Sequence, residues 1–169
     1  MPEIRDATEA DLPGILAIFN QAIRDTTAVW HLEPATLEAR RQWLLDRQGR
    51  GLPVLVAAEG ETVLGFASYG DFRPFAGFAL TVEHSVYVDP AAQGRGLGGA
   101  LLRALAERAR DAGLHVMVAG IEAGNTTSIA LHRRAGFQEA GVLRQVGRKF
   151  DRWLDLLFMQ KFLQEPEGK

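Results

Sequence analysis

The segment from Val82 to Gly98 sets what this chain can become. Val82-Glu83-His84-Ser85-Val86-Tyr87-Val88 alternates apolar and polar side chains, which predicts a strand with chemically different faces. Asp89-Pro90 stops that strand, because proline cannot continue a ladder and restricts the residue before it. A glycine-rich turn follows, with glycines at 94, 96, 98 and 99, and a helical pattern begins at once. Leu97, Leu101, Leu105 and Ala109 recur every fourth residue, with Arg103, Glu107 and Arg110 on other faces. Strand, glycine turn and helix N-terminus together suit an anion, since glycine lets backbone N–H groups approach closely and the helix dipole adds partial positive charge. No lysine follows the second glycine, so the nucleoside-triphosphate fingerprint fails.

The remainder of the chain supplies a frame for that segment. Ile4-Arg5 predicts a short strand, and Leu12, Ile15, Leu16, Phe19, Ala22 and Ile23 trace one helical face. Thr8 with Asp11 offers a capping box, while Pro13 fits better if Asp11 is itself the cap. Pro34-Ala35-Thr36 starts a second helix to about Arg47. Pro53 to Ala58 and Thr62 to Ser68 form a hairpin, and Gly70 to Ala79 is an aromatic loop carrying one arginine. Leu114 to Ile121 reads as a buried strand, Thr126 to Ala135 as a short helix, and Gln138 to Val146 and Trp153 to Phe162 as two last strands around a turn at 147–151. With no repeat or linker, residues 1–169 are expected to form one α/β (α+β) domain with a mixed, mostly antiparallel sheet flanked by helices.

Composition narrows the chemistry. A hydrophobic content of 47% over 169 residues is enough for a real core. A formal net charge of −2 gives no electrostatic case for nucleic acid or a membrane surface, and no apolar run is long enough to span a bilayer. The expected location is the cytoplasm, with no membrane or nucleic-acid partner. The chain has no cysteine, which removes disulfides, cysteine-rich metal sites and a cysteine nucleophile, and no metal is expected.

Gln93-x-x-Gly96-x-Gly98 resembles the acetyl-CoA pyrophosphate loop of the GCN5-related N-acetyltransferases. The stretch from Asn125 through Leu131-His132 to Gly136-Phe137 is similar to a second block of that superfamily. Thr26-Thr27-Ala28-Val29-Trp30, Tyr69-Gly70-Asp71-Phe72-Arg73-Pro74-Phe75, Val82 to Val88 and Gly147-Arg148-Lys149-Phe150-Asp151-Arg152-Trp153 resemble its phosphinothricin acetyltransferase branch, above all the bacterial members that acetylate methionine sulfoximine and methionine sulfone. The likeness runs from about Ile4 to Phe162. It implies acetyl-CoA as co-substrate, bound at Val86, Tyr87, Val88, Gln93, Gly94, Arg95, Gly96, Leu97, Gly98, Gly99, Asn125 and Ser128. It also implies a homodimer, and a small amino-acid substrate touching Phe72, Arg73, Pro74, Phe75, Glu83, His84, Ser85 and Lys149.

The residues can be weighed beside that resemblance. An amine must lose a proton before it attacks a thioester, and an α-amine of pKa ~7.7–8 is largely ammonium at neutral pH. Glu83, beside the glycine turn, is the candidate base, although a strand glutamate also pairs readily with arginine. His132 stands where many of the superfamily have tyrosine; it is a candidate acid for the departing thiolate or a packed polar residue. Asn125 is either a cofactor contact or a helix cap. Arg73 either binds a substrate carboxylate or stacks on Phe72 or Phe75. Trp30 suits a core as well as a site, and Arg144, Arg148, Lys149 and Arg152 suit a solvated turn. Without cysteine, direct transfer in a ternary complex is favoured over an acetyl-enzyme. Two rival functions remain, an acetyltransferase for protein N-termini and a non-catalytic acyl-CoA sensor; the aromatic loop disfavours the first and Glu83 the second.

Overall fold

The computed structural model describes residues 2–165. Along the chain lie β1 (Glu3–Asp6), α1 (Leu12–Asp25), α2 (Leu37–Gly49), β2 (Val54–Glu59), β3 (Thr62–Asp71), β4 (Thr81–Val88), α3 (Leu97–Asp111), β5 (Val116–Glu122), α4 (Thr126–Arg134), β6 (Gln138–Lys149) and β7 (Arg152–Phe162). The strands form one mixed sheet in the order β1-β2-β3-β4-β5-β7-β6. Every neighbouring pair is antiparallel except β4 and β5. That exception follows from α3, since parallel neighbours need a crossover and here the crossover is the helix after the glycine turn.

Alternation along the strands gives the sheet two cores. Leu55 and Ala57 of β2 face α3, whose Leu97, Leu101, Leu105 and Ala109 are buried against them. Val54 and Val56 face the other way, onto Leu12, Ile15, Phe19 and Ile23 of α1. Leu101 and Leu105 are fully buried, so each contributes roughly 1.5–3 kcal/mol relative to exposure. At the entry to α1 both capping possibilities are realised. Thr8 and Asp11 form the box around a short 3-10 turn, and Asp11 precedes α1 with Pro13 in its first turn. Thr36 caps α2 by accepting from the Ala39 N–H at 3.1 Å.

Three local differences from the sequence reading have physical causes. β3 runs on to Asp71 because its ladder with β4 continues to Asp71↔Val82. β6 reaches Lys149, leaving Phe150 and Asp151 as a two-residue turn with φ of 53° and 58°. Hairpins favour positive φ at both turn positions because that twist matches the strands, and here neither position is glycine. Finally, β6 carries a bulge between Leu143 and Gly147, held by the Gln145 N–H donating to Asp155 Oδ1 at 2.8 Å. No helix among the described residues is long and apolar enough to cross a membrane.

Candidate active site

The site begins where the sheet opens. β4 and β5 pair only at Thr81↔Val116, Val82↔Met117 and Glu83↔Val118. Beyond Glu83, β4 stays paired with β3 as far as Val88↔Gly65, and β5 stays paired with β7 as far as Glu122↔Leu156. The strands therefore part at Glu83, leaving β4 from His84 to Val88 without a partner on its β5 side. Unpaired strand edges bind extended chains through their backbone groups. The resulting cleft holds about 430 Å³, part of it open to solvent, between β4, β5, the start of α4 and Ala28.

Glu83 sits at the fork, half-buried, with its carboxylate over Gly120 of β5. A Cβ at position 120 would stand 3.1 Å from Glu83 Oε2, so glycine makes the room that the carboxylate occupies. A glycine inside a buried strand is the signal that could have marked this place in the sequence. Burial pushes the Glu83 carboxyl above its usual range, and the nearby Arg73 charge pulls it partly back. Glu83 forms no ion pair among those present in the described residues. Arg73 is exposed, with its guanidinium 5.1 Å from the Phe72 ring. Phe72 in turn meets Phe78 and Phe158 edge to face. Pro74 and Phe75 lie farther out, exposed at the loop tip.

His84 occupies the opposite face of β4, where it lines the cleft but is almost wholly buried. Its Nε2 lies 3.0 Å from Nε2 of His132 on α4. The rings are parallel within 3°, with centroids 5.0 Å apart, so they meet edge to edge. His132 Nδ1 is 2.7 Å from the Ser128 carbonyl and 3.4 Å from the Ser128 hydroxyl. Both nitrogens of His132 are thus engaged, and it offers no free N–H to a departing thiolate. That counts against the direct acid role expected for it. Burial lowers both histidines, and with the His132 charge beside it His84 falls to about 3.

Of the residues expected to hold the cofactor, some line the cleft and most of the others lie in the glycine turn leading into α3. Gly94 and Gly96 have φ of 81° and 76°, a region other residues rarely adopt, and nothing stands within 4 Å of a Cβ at either. Gly96 is the N-cap of α3, whose first turn has no acidic side chain. These are the features of an open, positively polarised cradle, and they fit a pyrophosphate. Arg95 is paired with Glu59, tying the loop to the β2–β3 turn. Leu97 faces the core, so only its backbone remains for a ligand. Gly98 and Gly99 lie under Leu131 and Arg103 respectively. Asn125 caps α4 through Oδ1, which accepts from Ser128 N at 3.1 Å, and also lines the cleft. Val86, Tyr87 and Ser128 line it too, whereas Gln93 lies exposed on the loop.

Lys149 is elsewhere. Its side chain is buried, donating to the carbonyls of Thr26, at 2.7 Å, and Val29. It pins the segment that forms the cleft wall at Ala28 and is not a free cation for a substrate. Trp30 packs flat against Gly147, where a Cβ would come within 2.5 Å of its ring, and donates Nε1–H to Thr27 O at 2.8 Å. Arg148 lies 4.8 Å from the Trp153 ring on the exposed hairpin. Sequence reasoning missed Gly120, and also Glu122, which accepts from Gly124 N at 3.0 Å on the cleft's rim. Among the described residues no cluster of three metal-ligating side chains occurs.

Comparison with known proteins agrees with this geometry. A family model described as the Acetyltransferase (GNAT) family matches residues 15–137. The chain is 61% identical over 159 residues to an L-methionine sulfoximine/L-methionine sulfone acetyltransferase of Pseudomonas aeruginosa, covering 93% of this chain and 92% of the relative. It is 37% identical over 162 residues to a phosphinothricin N-acetyltransferase of Streptomyces coelicolor, covering 94% and 95%. Among solved structures, yncA of Salmonella typhimurium with its cofactor acetyl-CoA superposes with a TM-score of 0.96 at 49% identity, covering 100% of this chain and 98% of the other. A structure named ribosomal-protein-alanine N-acetyltransferase, from Brucella melitensis, gives 0.93 at 57% identity over 95% and 99%.

Proposed function

The chain belongs to the GNAT acetyltransferase family and is an acetyl-CoA-dependent N-acetyltransferase, and we propose that it acetylates the α-amine of a small amino-acid analogue such as methionine sulfoximine, methionine sulfone or phosphinothricin. The observation that carries this reading is Glu83, half-buried without an ion-pair partner among the described residues where β4 and β5 part. Acetyl-CoA supplies the activated acetyl group, and the glycine loop before α3 with the open edge of β4 holds it. Glu83 takes the ammonium proton, directly or through a water. A carboxyl raised by burial is a better match to an ammonium than an ordinary one. Arg73 holds the substrate carboxylate above Phe72, since guanidinium and carboxylate make two parallel charge-assisted hydrogen bonds. Transfer is direct, as the chain has no cysteine to carry the acetyl group.

A second reading, acetylation of protein N-termini, is favoured only by the name of the Brucella melitensis structure. Thiol release from acetyl-CoA separates the two. Methionine sulfone and sulfoximine are expected to exceed a peptide beginning with alanine by about tenfold or more in kcat/KM. Preference for the peptide would reverse the assignment. We also infer a homodimer, supported by the β6–β7 hairpin, where Val142, Leu143, Val146 and Trp153 are exposed in the single chain. Sedimentation returning a monomer at micromolar concentration would remove that inference.

A further inference from the structure

The histidine pair has a hydrogen-bond direction that its partners dictate. A carbonyl oxygen only accepts, so at 2.7 Å from Ser128 O the His132 Nδ1 must carry the proton. Neutral His132 then has a bare Nε2, and the neighbour 3.0 Å away must donate to it, which makes His84 the Nε2–H tautomer. His84 Nδ1 is left without a proton, and it is indeed buried with no hydrogen-bond partner among the described residues. The chain ends at Ser128. Because His132 Nδ1–H already points at that residue, the hydroxyl, 3.4 Å away, accepts weakly from it and keeps its own hydrogen for another group. Ser128 lines the cleft.

We propose that His84 is a positioning residue which occupies the second nitrogen of His132, keeps the pair from donating a proton, and so leaves the Ser128 hydroxyl as the hydrogen-bond donor on the α4 side of the cleft. This rests on the acetyltransferase reading for its purpose but not for its geometry. The surroundings suit a neutral pair. From β3 the register partner of His84 is Tyr69, and Phe137, after α4, meets both rings edge to face. The carboxylates of the region stand apart from it: Glu83 projects from the other face of β4, and Glu122 is held by Gly124 N and Thr27. Arg133 and Arg134 of α4 are exposed. Burial without a counter-charge disfavours an imidazolium, consistent with the lowered values of both rings.

Nitrogen NMR of histidine-labelled protein tests the tautomers without any substrate. The expected spectrum has protons on His132 Nδ1 and His84 Nε2, bare nitrogens at the other two positions, and no titration of either ring from pH 6 to 9. A proton on His132 Nε2 in that range would overturn the proposal. In His84→Ala the hydrogen bond to His132 Nε2 is lost and the shift of that nitrogen is expected to move, while His84→Gln, whose amide can donate to Nε2, should restore it. Kinetics test the consequence. With acetyl-CoA and methionine sulfone, Ser128→Ala and His84→Ala are each expected to lower kcat about tenfold with KM little changed, the cost of one hydrogen bond made in the transition state. The double variant should be no worse than either single one, because His84 acts through Ser128. Multiplicative losses would show that His84 only supports the fold. Absence of any acetyl transfer from the wild-type protein would defeat the functional reading and leave the NMR result standing.

Discussion

The two faces of β4 take the same physical influence and turn it to opposite ends. On one face Glu83 is half-buried beside an exposed arginine, and burial moves its carboxyl upward. On the other, His84 is buried against His132 and Phe137, and burial moves its imidazole downward. Desolvation disfavours whichever form is charged, so both shifts favour neutrality. The starting points differ, however. A carboxyl raised from 4.5 moves toward the amine it has to deprotonate, while an imidazole lowered from 6.5 leaves the neutral range altogether. One face is thereby suited to moving protons, and the other to holding them still.

The largest effect that tests this contrast comes from Glu83→Gln. The amide keeps shape and hydrogen bonding but cannot take a proton, so kcat at pH 7 is expected to fall by roughly 10²–10⁴. Raising the pH should recover part of the loss, since more of the substrate amine is then neutral. A pH–rate profile with near-native kcat at pH 7 would remove the difference between the faces. Gly120→Val acts on the same group from β5. Its Cβ would meet Glu83 Oε2 at 3.1 Å, so the carboxylate must move, and kcat is expected to fall roughly tenfold to a hundredfold in a protein that stays folded. Circular dichroism with single-turnover rates checks both halves. Arg73→Ala should be milder, raising KM about tenfold for amino acids and much less for amines lacking a carboxylate. Equal impairment of both substrate types would move the carboxylate clamp elsewhere.

How far the sequence revealed these faces depends on the range of the contacts. The strand, turn and helix from Val82 to Gly98 were legible because alternation, Asp89-Pro90 and the fourfold leucine spacing are local signals. Glu83 could be singled out for the same reason. His132 was singled out, but its partner His84 lies 48 positions earlier, and no periodicity reports a contact of that kind. Lys149 shows the same limit more sharply. As one cation in a basic turn it resembled a ligand-binding residue, yet the carbonyls it serves stand 120 and 123 positions away. Gly147 was read as part of a turn and of a motif, and Gly120 only as part of a buried strand. Their roles are negative, leaving room for Trp30 and for Glu83, and an absence of side chain acquires meaning only when the neighbour is known. The Phe150-Asp151 turn was placed with its start three residues early, at 147, and its type was hidden because glycine and asparagine, its usual markers, are missing.

The smallest expected effect is on stability, and there the two faces oppose each other. The histidines have folded values below 6.5, so as pH falls from 6.5 toward 3 the unfolded chain binds more protons than the folded one. Their contribution is fully present above 6.5 and is lost on acidification. Glu83, raised above 4.5, has the reverse sign: just above 4.5 the folded state holds the extra proton, which favours folding on the acid side. Asp6 and Asp11, lowered by Arg108 and Arg5, become relevant only near and below 3.8. Between pH 6.5 and 5.5 the histidines should cost at most about 1 kcal/mol each, one pH unit's worth of linkage. Urea unfolding across pH 4.5–7 is expected to show acid destabilisation that steepens in Glu83→Gln, where the opposing group is gone, and flattens in His84→Leu, where one of the two buried rings is gone. If both variants shifted the slope in the same direction, the two faces of β4 would not differ in the way their surroundings imply, and the separation of a proton-moving side from a proton-holding side would have to be abandoned.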